Sequence, residues 1–341
     1  MWGAGWRTGR RKGPGTGRIG TGSSGPRDAF IEPVMPADPD LVGMADTPTI
    51  GFIGLGIMGT PAAKNLLDAG YDLVVNDLSD ERVEGVTSYG AEAAPTPAAV
   101  AERADVVLTF LPEGDHVKAV ALGEDGLIEG ADDALVYVDM GTVGPAAIRE
   151  VAAELEAVGV HVIDAPVSGG EAGSKAGSLR IMFGSDDPIP PEVEAIFEVL
   201  GDHVTRIGEL GAGQVAKVCN NMVGASSIVA LAEALVFAEK AGVSKERIVE
   251  AMHGGTAQTW MLDNRAHAMI DHDFEPGFFS SYLYKDLRIG INDAQEYGAP
   301  VPLASVDHEL FKTVEARGRG DLDTAAIITV MEEMAGIDPD V

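Results

Sequence analysis

From Thr47 onward, short apolar runs alternate with longer stretches of helical character. The runs Thr49 to Ile53, Leu73 to Asn76, Val106 to Phe110, Leu135 to Asp139, Val160 to Asp164 and Arg180 to Gly184 have the length and composition of strands. A parallel sheet needs a crossover between successive strands, and the stretches between these runs supply one each time. The pattern as far as about Ile207 therefore predicts a doubly wound α/β domain. After Gly213 the pattern changes. Gln214 to Ala241 is apolar all round, which predicts a buried helix between domains. Further helices are predicted near Lys245 to His253, Thr259 to Ile270, Tyr284 to Tyr297, Leu303 to Arg317 and Thr324 to Met334. The expected organisation is a sheet domain over 47–210 and an all-helical domain over 211–336, with the long helix joining them and no repeat of fixed period.

Residues 1–46 differ in kind. They are Gly-rich, carry Arg7, Arg10, Arg11, Lys12, Arg18 and Arg27, and offer little that could pack, so a disordered leader is expected. Arg10-Arg11 lacks the apolar region that follows a twin-arginine export signal. Met44 is the expected native start, with the preceding residues an upstream extension of the reading frame.

Charge narrows the function. The 341 residues hold 24 basic and 54 acidic side chains, a formal charge of -30, which argues against a nucleic-acid partner. Only nine of the basic residues are lysine. An acidic, lysine-poor chain suits molar salt, where screening shortens to about 3 Å. A halophilic source is the expectation, and an ordinary acidic protein the alternative. The single cysteine, Cys219, allows no intrachain disulfide and fits a cytoplasmic location; inside the long helix it reads as small packing. Asn220, Asn221 and Glu233 interrupt the longest apolar stretch before it reaches the roughly 18 residues of a membrane span, so none is expected.

Chemistry enters at the end of the first strand. Ile50-Gly51-Phe52-Ile53 runs into Gly54-Leu55-Gly56-Ile57-Met58-Gly59, and Pro61 to Ala69 reads as the helix that follows. Strand, G-x-G-x-x-G turn and helix in that order form a Rossmann-type dinucleotide site. Gly54 permits the tight turn, Gly56 lets a pyrophosphate approach backbone N–H groups at the helix N-terminus, and Gly59 allows close packing of helix on strand. Asp77 ends the second strand at about the spacing expected of the carboxylate that holds the adenosine ribose. It would repel a 2′-phosphate, and Leu78 stands where NADP-binding proteins commonly offer Arg. The cofactor indicated is NAD rather than NADP. An Asp77 that merely shapes a turn with Ser79 and Asp80 is the plainer alternative.

Three further segments complete a pattern: Asp164-Ala165-Pro166-Val167-Ser168-Gly169-Gly170, Gly211-Ala212-Gly213-Gln214-Val215-Ala216-Lys217-Val218-Cys219-Asn220-Asn221, and Lys285-Asp286-Leu287. With the glycine turn, and in this order from about Thr47 to Gly336, they resemble the β-hydroxyacid dehydrogenases. That family includes 3-hydroxyisobutyrate dehydrogenase, 2-hydroxy-3-oxopropionate (tartronate semialdehyde) reductase and glyoxylate reductases. The resemblance implies that Ser168, Gly169 and Gly170 bind a substrate carboxylate, that Lys217 is the catalytic acid and base, and that Asn221 orients the substrate. Four residues apart, Lys217 and Asn221 share a helix face. An ammonium donor suits an alkoxide that develops during reduction, and burial would lower its pKa for the reverse direction. The resemblance also implies that Lys285 closes over the cofactor and that Leu111, Pro112 and Thr142 line its nicotinamide half. The family often has hydroxyl residues before that threonine, whereas Met140-Gly141 stands here.

Related 6-phosphogluconate dehydrogenases carry His three positions after the lysine, where this chain has Asn220, and imine-reducing relatives replace the lysine itself. Neither activity is expected. A non-catalytic NAD-binding module is the alternative of a different class, and Lys217, Asn221 and Ser168 argue against it. The expected substrate is a small carboxylate, with 2-hydroxy-3-oxopropionate or 3-hydroxyisobutyrate first and glyoxylate or succinic semialdehyde as alternatives. Thr256, Gln258 or Tyr282 would serve a polar substrate, and Trp260 would either wall the pocket or fill the core. His267, Asp271, His272 and Asp273 match no recurrent ligand spacing, so no metal is expected. A homodimer or homotetramer is expected from the family.

Overall fold

The computed structural model describes residues 47–339, and the expectations for 1–46 lie outside them. Strands β1 (Ile50–Ile53), β2 (Leu73–Asn76), β3 (Glu92–Ala93), β4 (Val106–Thr109), β5 (Val136–Asp139) and β6 (His161–Asp164) pair in parallel in the order β3-β2-β1-β4-β5-β6. Every residue of β1, β4 and β5 is buried, as expected where helices cover both faces of a parallel sheet. Those helices are α1 (Gly59–Asp68), α2 (Asp80–Thr87), α3 (Pro97–Ala101), α4 (Gly114–Leu122), α5 (Leu127–Gly130) and α6 (Pro145–Glu156). Phe52, Leu66, Leu108 and Ile163 fill one side of the sheet, and Val107, Tyr137, Ile148 and Leu155 the other. Burial of each large side chain is worth about 1.5–3 kcal/mol.

The wholly parallel sheet requires correction. β7 (Val167–Ser168) and β8 (Leu179–Gly184) run antiparallel to each other, and β8 is antiparallel to β6. The chain between β6 and β8 makes no simple crossover: it contains β7, which pairs with β8, and α7 (Gly170–Ala176). Helix α8 (Pro191–Leu200) then returns to β9 (Gly201–Gly208), which is parallel to β8. Strands β3 and β7 are two residues long and β9 is mostly exposed, so none carries a legible alternation.

The remainder is helical: α9 (Ala212–Lys240), α10 (Lys245–Met252), α11 (Trp260–Asp271), α12 (Ser280–Glu296), α13 (Pro302–Ala316) and α14 (Ile327–Met334), with a 3₁₀ turn at Thr324–Ala326. Ile228, Leu235, Leu287, Phe311 and Ile327 anchor its core. Helix α12 approaches α9 closely at Gly290, where a Cβ would sit 2.6 Å from both Met222 and Val218. Helix α9 is long and apolar enough to cross a membrane, yet half of that window is buried against the chain itself. It is not buried all round: Val223 is 69% and Phe237 75% exposed, because within one chain the other helices cover only one of its sides.

Candidate active site

The strand order reverses at β1, between β2 on one side and β4 on the other, and the crevice at such a switch point is where open α/β sheets hold ligands. The glycine turn sits there. Gly54 has φ +96°, and a Cβ on it would lie 2.5 Å from the Phe110 carbonyl oxygen. A Cβ on Gly59 would overlap the Gly54 carbonyl, whereas the same atom on Gly56 would meet nothing within 4 Å. The turn is thus closed toward the protein and open at Gly56. Asp77 accepts from the Leu55 N–H at 2.7 Å and from the Ser79 N–H at 2.8 Å. It therefore serves the turn and also tethers the glycine loop. Arg82 approaches its carboxylate at 3.8 Å, one helical turn beyond the exposed Leu78. Ile57 is exposed and Met58 half-buried. This cradle fits a dinucleotide, with Gly54 to Gly59 and Asp77 as the residues that would hold it.

The ends of β4 and β5 supply the next wall. Leu111 and Pro112 follow β4, and a Cβ on Gly141 after β5 would lie 2.5 Å from the Leu111 carbonyl oxygen. Lys285 reaches these segments from α12: its Nζ donates to the Pro112 carbonyl and, at 3.0 Å, to the Thr142 carbonyl, and it pairs with Asp286 at 2.9 Å. Met140 is buried and offers no hydroxyl.

Lys217 lies on the inward face of α9 and is 8% exposed. No hydrogen bond or ion pair to its Nζ occurs among the described residues. Burial lowers its pKa below the ordinary lysine value; Asp286 opposes the shift and Lys285 adds to it. Asn221, one turn on, accepts from Asn220 at 3.0 Å and donates to the Asp286 carboxylate at 2.5 Å. Asp286 thereby links Asn221 and Lys285 and faces Lys217 electrostatically. Its sequence signal was its place inside Lys285-Asp286-Leu287.

Ser168, Gly169 and Gly170 form the turn from β7 into α7, with φ +139° at Gly169 and +62° at Gly170. Helix α7 is fastened to α1, since Ser174 Oγ donates to the Met58 carbonyl at 2.7 Å and Asn65 donates to the Ser174 carbonyl at 2.8 Å. From the helical half, Gly277 approaches: a Cβ on Gly170 would lie 3.1 Å from its carbonyl oxygen. Buried Asp323 holds that approaching loop by accepting from the N–H groups of Gly277 and Phe278 at 2.9 and 3.0 Å, and Arg265 pairs with it at 3.0 Å. Nothing in the sequence signals this role for Asp323.

Known families match both halves of the chain. Residues 49–208 match the family described as the NAD binding domain of 6-phosphogluconate dehydrogenase, and residues 211–331 that described as NAD-binding of NADP-dependent 3-hydroxyisobutyrate dehydrogenase. The Escherichia coli 2-hydroxy-3-oxopropionate reductase is 37% identical over 286 residues, covering 84% of this chain and 98% of its own. A probable mitochondrial 3-hydroxyisobutyrate dehydrogenase of Dictyostelium discoideum is 34% identical, over 82% of this chain and 89% of its own. The chain belongs to the β-hydroxyacid dehydrogenase family. It is an NAD(P)-dependent enzyme acting on CH–OH groups. Among solved structures, a Mycobacterium tuberculosis 3-hydroxyisobutyrate dehydrogenase with L-serine superposes with a TM-score of 0.77 at 32% identity, over 84% of this chain and 99% of that one.

Several expectations for this β-hydroxyacid dehydrogenase need correction. Trp260 does not fill the core; it is 58% exposed, with Arg265 5.0 Å over its ring. Cys219 is exposed, not packed, because it lies on the uncovered side of α9. Gln258 is exposed, accepts from the Gly254 N–H at 2.8 Å and donates to Asp263 at 2.6 Å, so its amide ties its own loop to the start of α11.

Proposed function

We propose that this dehydrogenase interconverts a short β-hydroxyacid and its semialdehyde, with Lys217 as the general acid and base. The observation that carries the reading is a buried lysine with no hydrogen-bond partner among the described residues, beside Asp286 and Lys285, on the helix that faces the strand ends lining the cofactor crevice. When bound, the nicotinamide supplies the hydride in reduction and accepts it in oxidation. Lys217 donates its proton to the carbonyl oxygen as that oxygen becomes an alkoxide, and is reprotonated from solvent; in oxidation the neutral amine takes the hydroxyl proton. Its burial-lowered pKa favours this second role, and Asp286 acts in the opposite direction, favouring the charged form that the first requires. Ser168, Gly169 and Gly170 would take the substrate carboxylate through the serine hydroxyl and backbone N–H groups, and Asn221 would orient the reacting end.

The named relatives support 2-hydroxy-3-oxopropionate or 3-hydroxyisobutyrate as substrate. Asp77 supports NAD over NADP. A homodimer or homotetramer is part of the reading, supported by an apolar groove of about 750 Å³ that Val223, Leu231, Val301 and Leu303 help to line. Cytoplasmic location and a halophilic source rest on the single cysteine and the charge of -30. The test follows NADH and NADPH absorbance against short semialdehydes and hydroxyacids, in molar KCl and without it, for wild type and Lys217→Ala. NADH-linked turnover with one substrate, lost in the variant, is expected. Equal turnover in the variant would overturn the lysine assignment, and activity peaking without salt would overturn the halophilic one.

A further inference from the structure

Gln214 is the first inward-facing side chain of α9 after its glycines, and it is 0% exposed. Its Oε1 accepts from the consecutive N–H groups of Val143 and Gly144 at 3.0 and 3.1 Å. Its Nε2 donates to Asp139 Oδ2 at 3.2 Å and to the Gly141 carbonyl at 2.9 Å. A primary amide has two hydrogens and one oxygen with two lone pairs, so these bonds saturate it. All of them go to one segment, 139–144, which carries Thr142, the residue whose carbonyl receives Lys285. Lys217 stands three positions after Gln214, on the same buried face of the helix. The helix cannot slide beneath this contact. Asp164 accepts from the N–H groups of Gly211 and Gln214 at 2.6 and 2.7 Å, and a Cβ on Gly213 would lie 2.7 Å from its carboxylate.

We propose that Gln214 is a positioning residue for the reaction: it fixes the loop that lines the cofactor crevice relative to the helix turn that carries Lys217. It acts through both and touches neither substrate nor cofactor. The inference rests on the reading of Lys217 as proton donor. Hydride and proton reach adjacent atoms of one substrate, so the groups that hold the two sources must be registered with each other. A displacement of about 1 Å in such a constellation can cost roughly 10²-fold in rate. Only an amide of this length satisfies the site. Methionine fills the volume but orphans two N–H groups and a carboxylate; glutamate keeps the acceptor but sets a second carboxylate against Asp139 and the Gly141 carbonyl. The ionisable groups around the position are Asp139 with Tyr137 beside it, Asp164 with Arg149 acting on it, Asp293 beside Gly144, and Lys285 and Lys217.

The test compares Gln214→Met, Gln214→Glu and Lys217→Gln in the full-length enzyme. Readouts are kcat and KM for both substrates, the primary isotope effect with C4-deuterated NADH, and melting temperature. Gln214→Met is expected to lower kcat roughly 10- to 10²-fold with a far smaller change in KM, and to raise the isotope effect as hydride transfer becomes rate-limiting. Gln214→Glu is expected to be weakest at alkaline pH and to recover as the pH falls, because a shared proton between its carboxyl and Asp139 restores one hydrogen bond. A purely structural role would lower the melting temperature while leaving the isotope effect and the pH profile per folded enzyme as in wild type; that result overturns the inference. If Gln214→Met fails to fold, a wild-type pH profile in Gln214→Glu does the same. Full turnover in Lys217→Gln would sink the reading of the lysine, whereas loss of turnover there with normal kinetics in both Gln214 variants would sink this inference alone.

Discussion

The glycine turn and the lysine cluster hold two parts of one site by different means. Gly54, Gly56, Gly59 and Asp77 belong to a single strand–turn–helix–strand unit and work through backbone shape, with one carboxylate tying the loop at Leu55. Lys217, Asn221, Lys285 and Asp286 come from two separate helices, α9 and α12, and work through charge in a buried setting. The turn keeps its geometry wherever its own strand and helix form. The cluster exists only once α12 has docked on α9 and against the ends of β4 and β5. Disturbing the first should impair cofactor binding; disturbing the second should alter proton transfer and the attachment of the helical half.

The largest effect should follow from Lys285→Met. Removing one partner of a buried pair leaves Asp286 uncompensated and frees two carbonyls, at a cost of roughly 3–5 kcal/mol, visible as a lower melting temperature. Because Lys285 lowers the Lys217 pKa and Asp286 raises it, this variant should move the acidic limb of the oxidation pH profile, where Lys217 becomes protonated, to higher pH, and Asp286→Asn should move it lower. Shifts in the same direction would mean that the two groups do not act on Lys217 by charge.

Gly59→Ala tests the other region. Overlap of the new methyl with the Gly54 carbonyl should cost about 1–3 kcal/mol, read as weaker NADH binding in a fluorescence titration. The pH profile of the remaining activity should not move. A shifted profile would show that the two regions are coupled more tightly than their separate construction implies.

Asp139 lies between them, accepting from Thr109 and from Gln214. Burial pushes its pKa up to about 7, against hydrogen bonds from Thr109 and Gly141. A carboxyl raised in the folded state contributes stability that is present below its unfolded pKa and is lost as pH rises through the folded value. Wild type should therefore lose stability between about pH 4 and about pH 7 relative to Asp139→Asn. The asparagine can keep its partners, because the Thr109 hydroxyl can turn to donate to Tyr137. Melting curves across that range give the comparison, and a constant difference between the two proteins would refute it. The smallest effect is expected of Ser79→Ala, which removes the cap that accepts from the Arg82 N–H at the start of α2; about 1 kcal/mol of stability should go, with no change in the pH profile.

Much of this was legible beforehand for identifiable reasons. Strands β1, β2, β4, β5 and β6 were readable because parallel strands buried on both faces are continuous apolar runs. The antiparallel β8 was read as one more parallel strand, since a run such as Leu179–Gly184 carries no sign of its direction. Helix α9 was read as buried all round because composition cannot tell which apolar residues a single chain covers. The packing role read for Cys219 and the core alternative for Trp260 went astray for the same reason. The site residues on the glycine turn and on α9 were recognisable from their motifs, but Gln214 and Asp323 act on partners 70 and 45 or more positions away.

The sequence by itself determined the local chemistry: a glycine turn between strand and helix, an aspartate after the second strand, and a lysine and an asparagine spaced to share a helix face. These depend on backbone preferences and side-chain spacing, which a short segment carries with it. Tertiary structure alone decided what surrounds Lys217. Whether an ammonium is buried, and whether Asp286 or Lys285 dominates beside it, depends on distances between helices far apart in the chain, and electrostatic interactions in a low-dielectric interior are governed by those distances.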